Sequence, residues 1–290
     1  MPLRDESSYN IVVDGEPHAV TDVRKKILSA FDDLEFVEEG HKYHIGDMDV
    51  ESVSSFAHRF DIPFDSMAQA VKYAESHGGT AEYWLDQWDY KAKKATTTGT
   101  LVHSYAESMT WIKAGHPENI TPDNLCKWFP EKGWLIPTRG KEESVLKFWS
   151  EISSDFHIVL PETRVYNIGN TERYAGTFDL LMWYEHPEDS SKSGLVVLDW
   201  KTNADLYKEF NRRNARMMLH PFECLYSEPF GTYTIQLNLY SMALRKIGLK
   251  VVGKRVIWLK EDGSYEIVKV GDVTKQLLSV DPGFLPLTTN

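Results

Sequence analysis

Apolar and polar positions alternate most clearly in the second half of the chain. Ile158 to Ile168, Tyr174 to Tyr184 and Leu195 to Thr202 are three strand-like runs joined by polar connections. Thr232 to Lys246 changes to the helical period. Val251 to Lys260 and Tyr265 to Val270 then read as a hairpin around Asp262-Gly263. Upstream the pattern is mainly helical. Residues 9 to 13 read as a short strand before the turn Asp14-Gly15, and Thr21 caps a helix running to about Leu34. Tyr43, Ile45, Val50 and Val53 bracket Gly46-Asp47 as a small hairpin. An aromatic-rich helix covers residues 66 to 95, and a second opens after Thr98-Gly99 and runs to about Lys113, where Gly115 and Pro117 stop it. A further helix covers residues 141 to 155, with Val145, Phe148, Trp149 and Ile152 on one face.

Helices, then strands, then a helix, then strands: this order predicts a sheet with helices packed on it. No linker rich in proline, glycine or serine divides the chain, so the expectation is one catalytic domain with an N-terminal elaboration. Residues 203 to 231 form a long, weakly periodic connection carrying Arg212, Arg213 and Arg216. Connections of that length are often functional.

Composition narrows the class. Of the 290 residues 42% are hydrophobic and 26% charged, which is ordinary globular usage and argues against disorder or coiled coil. No apolar run is long enough for a membrane span, and MPLRDESSYN has no apolar signal region. The expected location is therefore cytoplasmic, or host cytoplasm for a viral chain, and not secreted. Two cysteines, Cys126 and Cys224, provide neither a disulfide framework nor a four-cysteine cluster. The net charge of −11 argues against binding nucleic acid through bulk positive charge. Carboxylates that hold divalent metals count toward that figure, so a nucleic-acid enzyme remains open.

The chemistry is concentrated in YAGTFDLLMWY and GLVVLDWKT. Asp199 and Lys201 end an apolar strand and project from one face, about 6–7 Å apart along it. Val197 shares their face, while Leu198 and Trp200 point the other way. A hairpin between the two strands would bring Asp179 beside Asp199, and two carboxylates there favour a cation between them, Mg²⁺ or Mn²⁺ for an oxygen-rich site. An isolated Asp-x-Lys also fits an edge ion pair, so the pattern needs its company. That company includes His103 and Glu107, four apart on a helix, and Gln236 and Tyr240, spaced the same way on another.

In this order the elements resemble the PD-(D/E)xK nuclease superfamily, and within it the RecB-type exonuclease branch. The matches are Gly99-Thr100 with His103, Gly176 with Asp179, Asp199 with Lys201, and Gln236 with Tyr240, spanning about residues 95 to 270. The segment HKYHIGDMDVESVSSFAHRFD is similar to the N-terminal part of viral and bacteriophage members. Phe178 stands where the pattern often has a proline, and with two cysteines the chain lacks the set that iron–sulfur members of the branch use.

The resemblance implies an α/β fold with a restriction-endonuclease-like core. A central mixed β-sheet would be flanked by helices, with a mostly helical elaboration over residues 1–95 and the nuclease core over 96–290. It implies Mg²⁺ or Mn²⁺, one or two ions, held by His103, Asp179, Asp199 and the main-chain carbonyl of Trp200, and no iron–sulfur cluster. Lys201 would orient or deprotonate the attacking water. Its ordinary pKa makes positioning the safer role. Gln236 and Tyr240 would contact phosphate or brace the lysine and carboxylates. Glu162 would support the metal through water and Glu107 would orient His103, although both also read as surface carboxylates.

The implied activity is hydrolysis of DNA, single-stranded or with a free end, by an exonuclease; no membrane partner is implied. A structure-specific endonuclease or an RNA-cutting member uses the same core, and a binding module with a non-catalytic site is the alternative of another class. The basic groups Lys91, Lys93, Lys94 and Arg212, Arg213, Arg216 read either as phosphate contacts or as solvated surface. Trp84, Trp88, Trp111 and Trp134 read either as stacking platforms for bases or as core.

Overall fold

Three long strands read from the sequence form the centre of a mixed sheet in a computed structural model. It describes residues 16–40, 42–116, 125–130, 132–138 and 140–285. The strand expected at residues 9 to 13 and the stop at Pro117 lie outside them.

Chain order places helix α1 (His18–Ala30) before strands β1 (Leu34–Val37), β2 (Lys42–Ile45) and β3 (Met48–Ser52). Helices α2 (Val53–His58), α3 (Ser66–His77) and α4 (Ala81–Lys113) follow. A small pair, β4 (Cys126–Phe129) and β5 (Trp134–Pro137), precedes α5 (Lys141–Glu151). Then come β6 (Phe156–Ile168), β7 (Arg173–Tyr184), β8 (Gly194–Lys201), α6 (Glu209–Arg213), α7 (Pro229–Lys246), β9 (Val251–Leu259), β10 (Tyr265–Lys269) and α8 (Thr274–Val280). Eight strands make the main sheet, in the order β1-β2-β3-β7-β8-β9-β10 with β6 also on β7. The pairs β3–β7 and β8–β9 are parallel and the rest antiparallel, so this is an α/β fold with a mixed sheet flanked by helices.

Strand alternation divides the core. Leu195 and Val197 of β8 face α1, α2, α7 and α8, packing with Ile27, Phe56, Leu239 and Leu277. Val196, Leu198 and Trp200 face α4 and α5, packing with Val102, Ala106, Val145 and Phe148. The period-2 reading of Val197 against Leu198 and Trp200 therefore holds.

Three expectations are corrected. Residues 81 to 113 are one helix, not two meeting at Thr98-Gly99. A glycine inside a helix costs about 1 kcal/mol relative to alanine. Tertiary packing outweighs that here: Thr97 and Thr98 are buried, and Thr98 donates to the Pro137 carbonyl (3.0 Å). The boundary expected between residues 95 and 96 consequently falls inside α4. Moreover β3 pairs with β7, so the N-terminal strands belong to the same sheet as β6–β10. Helix α1 also runs from His18 to Ala30 and not to Leu34, because Phe31 leaves helical geometry and Leu34 opens β1.

One feature of the topology positions the site. On one edge β7 bonds to β6 along nearly its whole length. On the other it bonds to β8 through residues 180–184 and to β3 through residues 174–175. Strand β3 runs parallel to β7 and β8 antiparallel to it, so their carboxyl ends converge on residues 176–179 of β7. A crevice at converging carboxyl ends is where open α/β sheets place their ligand sites.

Candidate metal centre

Asp179 lies at that gap. Its Oδ2 accepts the Trp200 backbone N–H (2.6 Å), and its Oδ1 stands 3.2 Å from His103 Nδ1. The register of β6 on β7 pairs Pro161 with Leu180 and Thr163 with Phe178, which puts Glu162 across from Asp179. Glu162 has φ of 40°, a left-handed conformation rare outside glycine. Such strain persists where the surroundings hold it, often at functional sites. His103, Glu162 and Asp179 each offer a ligand atom, and these atoms lie within 4.8 Å of one another.

Asp199 and Lys201 arrive on the neighbouring strand. Lys201 Nζ is 2.5 Å from the buried Asp199 Oδ2, a close ion pair. The ammonium also sits 4.4 Å from the centre of the Tyr233 ring. Tyr233 O–H donates to Asn203 Oδ1 (2.8 Å), fixing the ring. Tyr233 was absent from the sequence reading, although its spacing of three and seven residues from Gln236 and Tyr240 puts all three on one helical face.

Five ionisable groups thus share a crevice in which the two aspartates are buried and the other three partly so. Burial pushes the Asp199 carboxyl up, and the nearby Asp179 charge adds to this against the pull of Lys201. Burial also acts to raise Asp179, but the His103 ring, Lys201 and the Trp200 N–H together hold it below the usual carboxylate range. For His103 burial favours the neutral ring, yet Asp179 outweighs it and lifts the imidazole to about 9. Burial would lower Lys201, but the Asp199 and Asp179 charges raise it, so it stays an ammonium. Asp179 and Asp199 raise each other's cost of ionisation, a repulsion that a divalent ion between them would relieve.

Gln236 and Tyr240 serve the scaffold. Gln236 Nε2 donates to the Tyr240 hydroxyl (3.1 Å), which donates to the Thr177 carbonyl (2.9 Å) in the stretch of β7 next to Asp179. Tyr240 is buried, so it braces the strand and does not present its hydroxyl to solvent. Gly176 explains its own place in the motif, because a Cβ there would stand 2.9 Å from the Tyr240 ring.

The other expected residues sort differently. Trp200 joins the site through its N–H while its side chain packs on Phe148. Glu107 accepts from Trp111 Nε1 (3.4 Å), and Asp179 Oδ1 stands against His103 Nδ1. Trp111 is core, packed with Ala114 and Ile158. Trp134 packs at a tilt against Tyr90, and Lys93 lies over the Phe129 ring. Arg212 is committed to Glu228. Two surface clefts of about 650 and 610 Å³, one along Ile45 to Asp49 and one beneath α5, contain none of these site residues.

The donor set fits a hard divalent cation: carboxylate oxygens and one imidazole nitrogen whose ligand atoms lie within 4.8 Å of one another. No described helix is long and apolar enough to cross a membrane. No protein-family model matches the chain, and no curated protein sequence matches it.

Proposed function

We propose that this chain is a divalent-metal-dependent nuclease of the PD-(D/E)xK type, with a restriction-endonuclease-like core of the RecB-type branch. Its substrate is DNA that is single-stranded or has a free end. The observation that carries this reading is the meeting of His103, Glu162 and Asp179 within 4.8 Å, with Asp199 and Lys201 on the adjoining strand. These side chains come from α4 and three neighbouring strands and face a gap between strand ends.

His103, Asp179, Asp199 and the Trp200 carbonyl would hold Mg²⁺ or Mn²⁺, with Glu162 beside them. The ion supplies Lewis acidity toward the phosphate and acidifies water. Lys201, fixed between Asp199 and the Tyr233 ring, remains charged. It therefore orients the attacking water and offsets negative charge on the phosphate in the transition state, and is not the base. Gln236 and Tyr240 keep residues 176–179 of β7 in place.

Digestion of end-labelled linear and covalently closed circular single strands, with Mg²⁺ or Mn²⁺ and with EDTA, tests the proposal. Metal-dependent cleavage of the linear strand alone supports an exonuclease, and cutting of circles supports an endonuclease instead. Absence of cleavage on any DNA overturns the DNA reading, and absence on RNA as well overturns the nuclease.

A further inference from the structure

Helix α6 begins eight residues after Lys201, within about 30 Å even for a fully extended chain. It belongs to the connection whose sequence period was weak, yet the structure anchors it firmly. Glu228, buried at the start of α7, accepts from Arg212 Nη2 (2.7 Å), Arg212 Nε (3.1 Å) and the Lys208 backbone N–H (2.8 Å). Arg212 lies between the rings of Tyr207 (4.2 Å) and Tyr226 (5.4 Å). Asn211 Nδ2 donates to the Ser227 carbonyl, whose own N–H donates to the Arg216 carbonyl (2.9 Å). The same Ser227 accepts the Ile62 N–H through its hydroxyl (3.2 Å), tying in the segment that leads to Phe64.

What this scaffold presents to water is unusual. Phe210 is 65% exposed and Phe64 69%. Lys208, Arg213 and Arg216 near it in sequence are exposed; the Arg216 guanidinium lies 5.9 Å from the centre of the Phe210 ring, and Arg213 pairs with the equally exposed Glu209. Residues 203 to 216 hold four cations and two carboxylates in a chain whose net charge is −11. An exposed aromatic ring with a guanidinium against it, on a segment rich in exposed cations, suits a polyanion whose units also carry flat apolar rings.

We infer that α6 is a docking platform for a single nucleic-acid strand, on which Phe210 stacks a base while Arg213 and Arg216 contact the flanking phosphates. This rests on the nuclease reading, in which a strand held on α6 would lead to Lys201, eight residues back along the chain. Stacking tolerates any base, so the platform would hold a strand without sequence preference.

The probe is a fluorescent oligothymidine 20-mer, compared with an abasic strand of equal length. Anisotropy is measured in EDTA, where no cleavage competes, with melting temperatures confirming that each variant is folded. Phe210→Ala is expected to weaken oligothymidine binding at least fivefold, leaving abasic binding and the salt dependence unchanged. The double variant Arg213→Ala/Arg216→Ala is expected to weaken both strands and to reduce the log–log salt slope by roughly 1.4. The platform is overturned if the wild type binds neither strand, if the variants bind like wild type, or if Phe210→Ala weakens both strands equally. Wild-type cleavage with Mn²⁺ alongside unaffected variants would refute the platform and leave the nuclease standing. Binding through Phe210 without cleavage would do the reverse.

Discussion

The ring of Tyr240 rests against the backbone of Gly176, with no room between them for a methyl group: a Cβ would come 2.9 Å from Cε1 and 3.0 Å from the hydroxyl. The Val53 side chain closes the other side at 3.0 Å. Gly176→Ala must therefore move Tyr240 or β7, and overpacking of this kind costs about 1–3 kcal/mol. Displacement of Tyr240 also loosens the Thr177 carbonyl beside Asp179. Urea denaturation should show the loss of stability, and nuclease assays a fall in cleavage. A variant as stable and active as wild type would show that the close approach does not matter.

Metal binding should depend on pH through His103. The folded protein holds the imidazole pKa at about 9, above the ordinary 6.5. In the metal-free protein this contributes stability that is complete below about pH 6.5 and lost as pH rises through 9. A metal requires the neutral ring, so the proton must leave. Apparent Mn²⁺ affinity should thus rise between pH 6.5 and 8.5, up to about tenfold per unit, with a proton released. At a hundredfold excess over Kd, Mn²⁺ should add about 2.7 kcal/mol of stability, and Asp179→Ala should abolish it. Calorimetry in buffers of different ionisation enthalpy reads the proton directly. Affinity that is flat with pH would exclude His103 as a ligand.

Lys201→Met removes the ammonium and keeps the stem. Asp199, 1% exposed, then loses its cation, and breaking a buried ion pair costs up to about 3–5 kcal/mol. A melting curve in the absence of metal measures that cost. Cleavage should fall by roughly 10²–10³, as for loss of one transition-state donor, while the Mn²⁺-induced stabilisation persists. Because Asp199 and Asp179 raise the lysine pKa, the rise of activity with pH should follow the two metal ligands that must lose a proton, Asp199 at about 7 and His103 at about 9. Cleavage retained in the variant would remove Lys201 from the chemistry.

The sequence reading succeeded where local pattern and tertiary structure agree. In β8, LVVL alternates between two buried faces, so Asp199 and Lys201 could be placed together before any coordinates. The partners of Asp179 were harder to read. Glu162 lines up with it only after the register of β6 shifts between Ile158 and Leu160, and neither that shift nor a positive φ is encoded in residue spacing. The parallel pairing of β3 with β7, which creates the gap, joins residues more than a hundred apart. Gly99 misled because its local helix penalty was visible and the packing that overrides it was not. Arg212 resembled its neighbours in sequence, and what separates it from them is a buried partner, Glu228, where Arg213 pairs only with the exposed Glu209.

Asp281 offers a test of the scaffold away from the metal centre. Its carboxylate accepts the N–H groups of Asn170 (3.0 Å), Thr171 (2.7 Å), Glu172 (2.8 Å) and Gly283 (2.7 Å). It is fully buried and pins the β6–β7 turn to the segment after α8. Burial opposes its charge, but those four donors hold its pKa well below the usual carboxylate range. A depressed pKa gives stability that is present above about pH 4 and lost as pH falls further. Asp281→Asn should cost roughly 1.5–3 kcal/mol at pH 7 and flatten the acid limb of the stability curve. An unchanged acid limb would mean that other carboxylates set it.

Glu228 is the keystone of the α6 platform, and its replacement separates anchoring from contact. The side chain is 2% exposed and neutralises Arg212, whose own side chain is 42% exposed. Glu228→Gln keeps the shape and one acceptor oxygen but removes the charge. Solvent around Arg212 screens part of the loss, leaving about 1–3 kcal/mol. The segment from residue 203 to 216 should then open locally before the sheet does, since local stability follows the contacts that hold a segment. Trypsin should cut first within Arg212-Arg213 and after Arg216, at rates several-fold above wild type, while the melting transition of the sheet moves little. Oligothymidine binding should weaken together with this cleavage, although Glu228 itself touches no nucleic acid. Wild-type proteolysis in Glu228→Gln would mean that the aromatic sandwich of Tyr207 and Tyr226 holds α6 unaided.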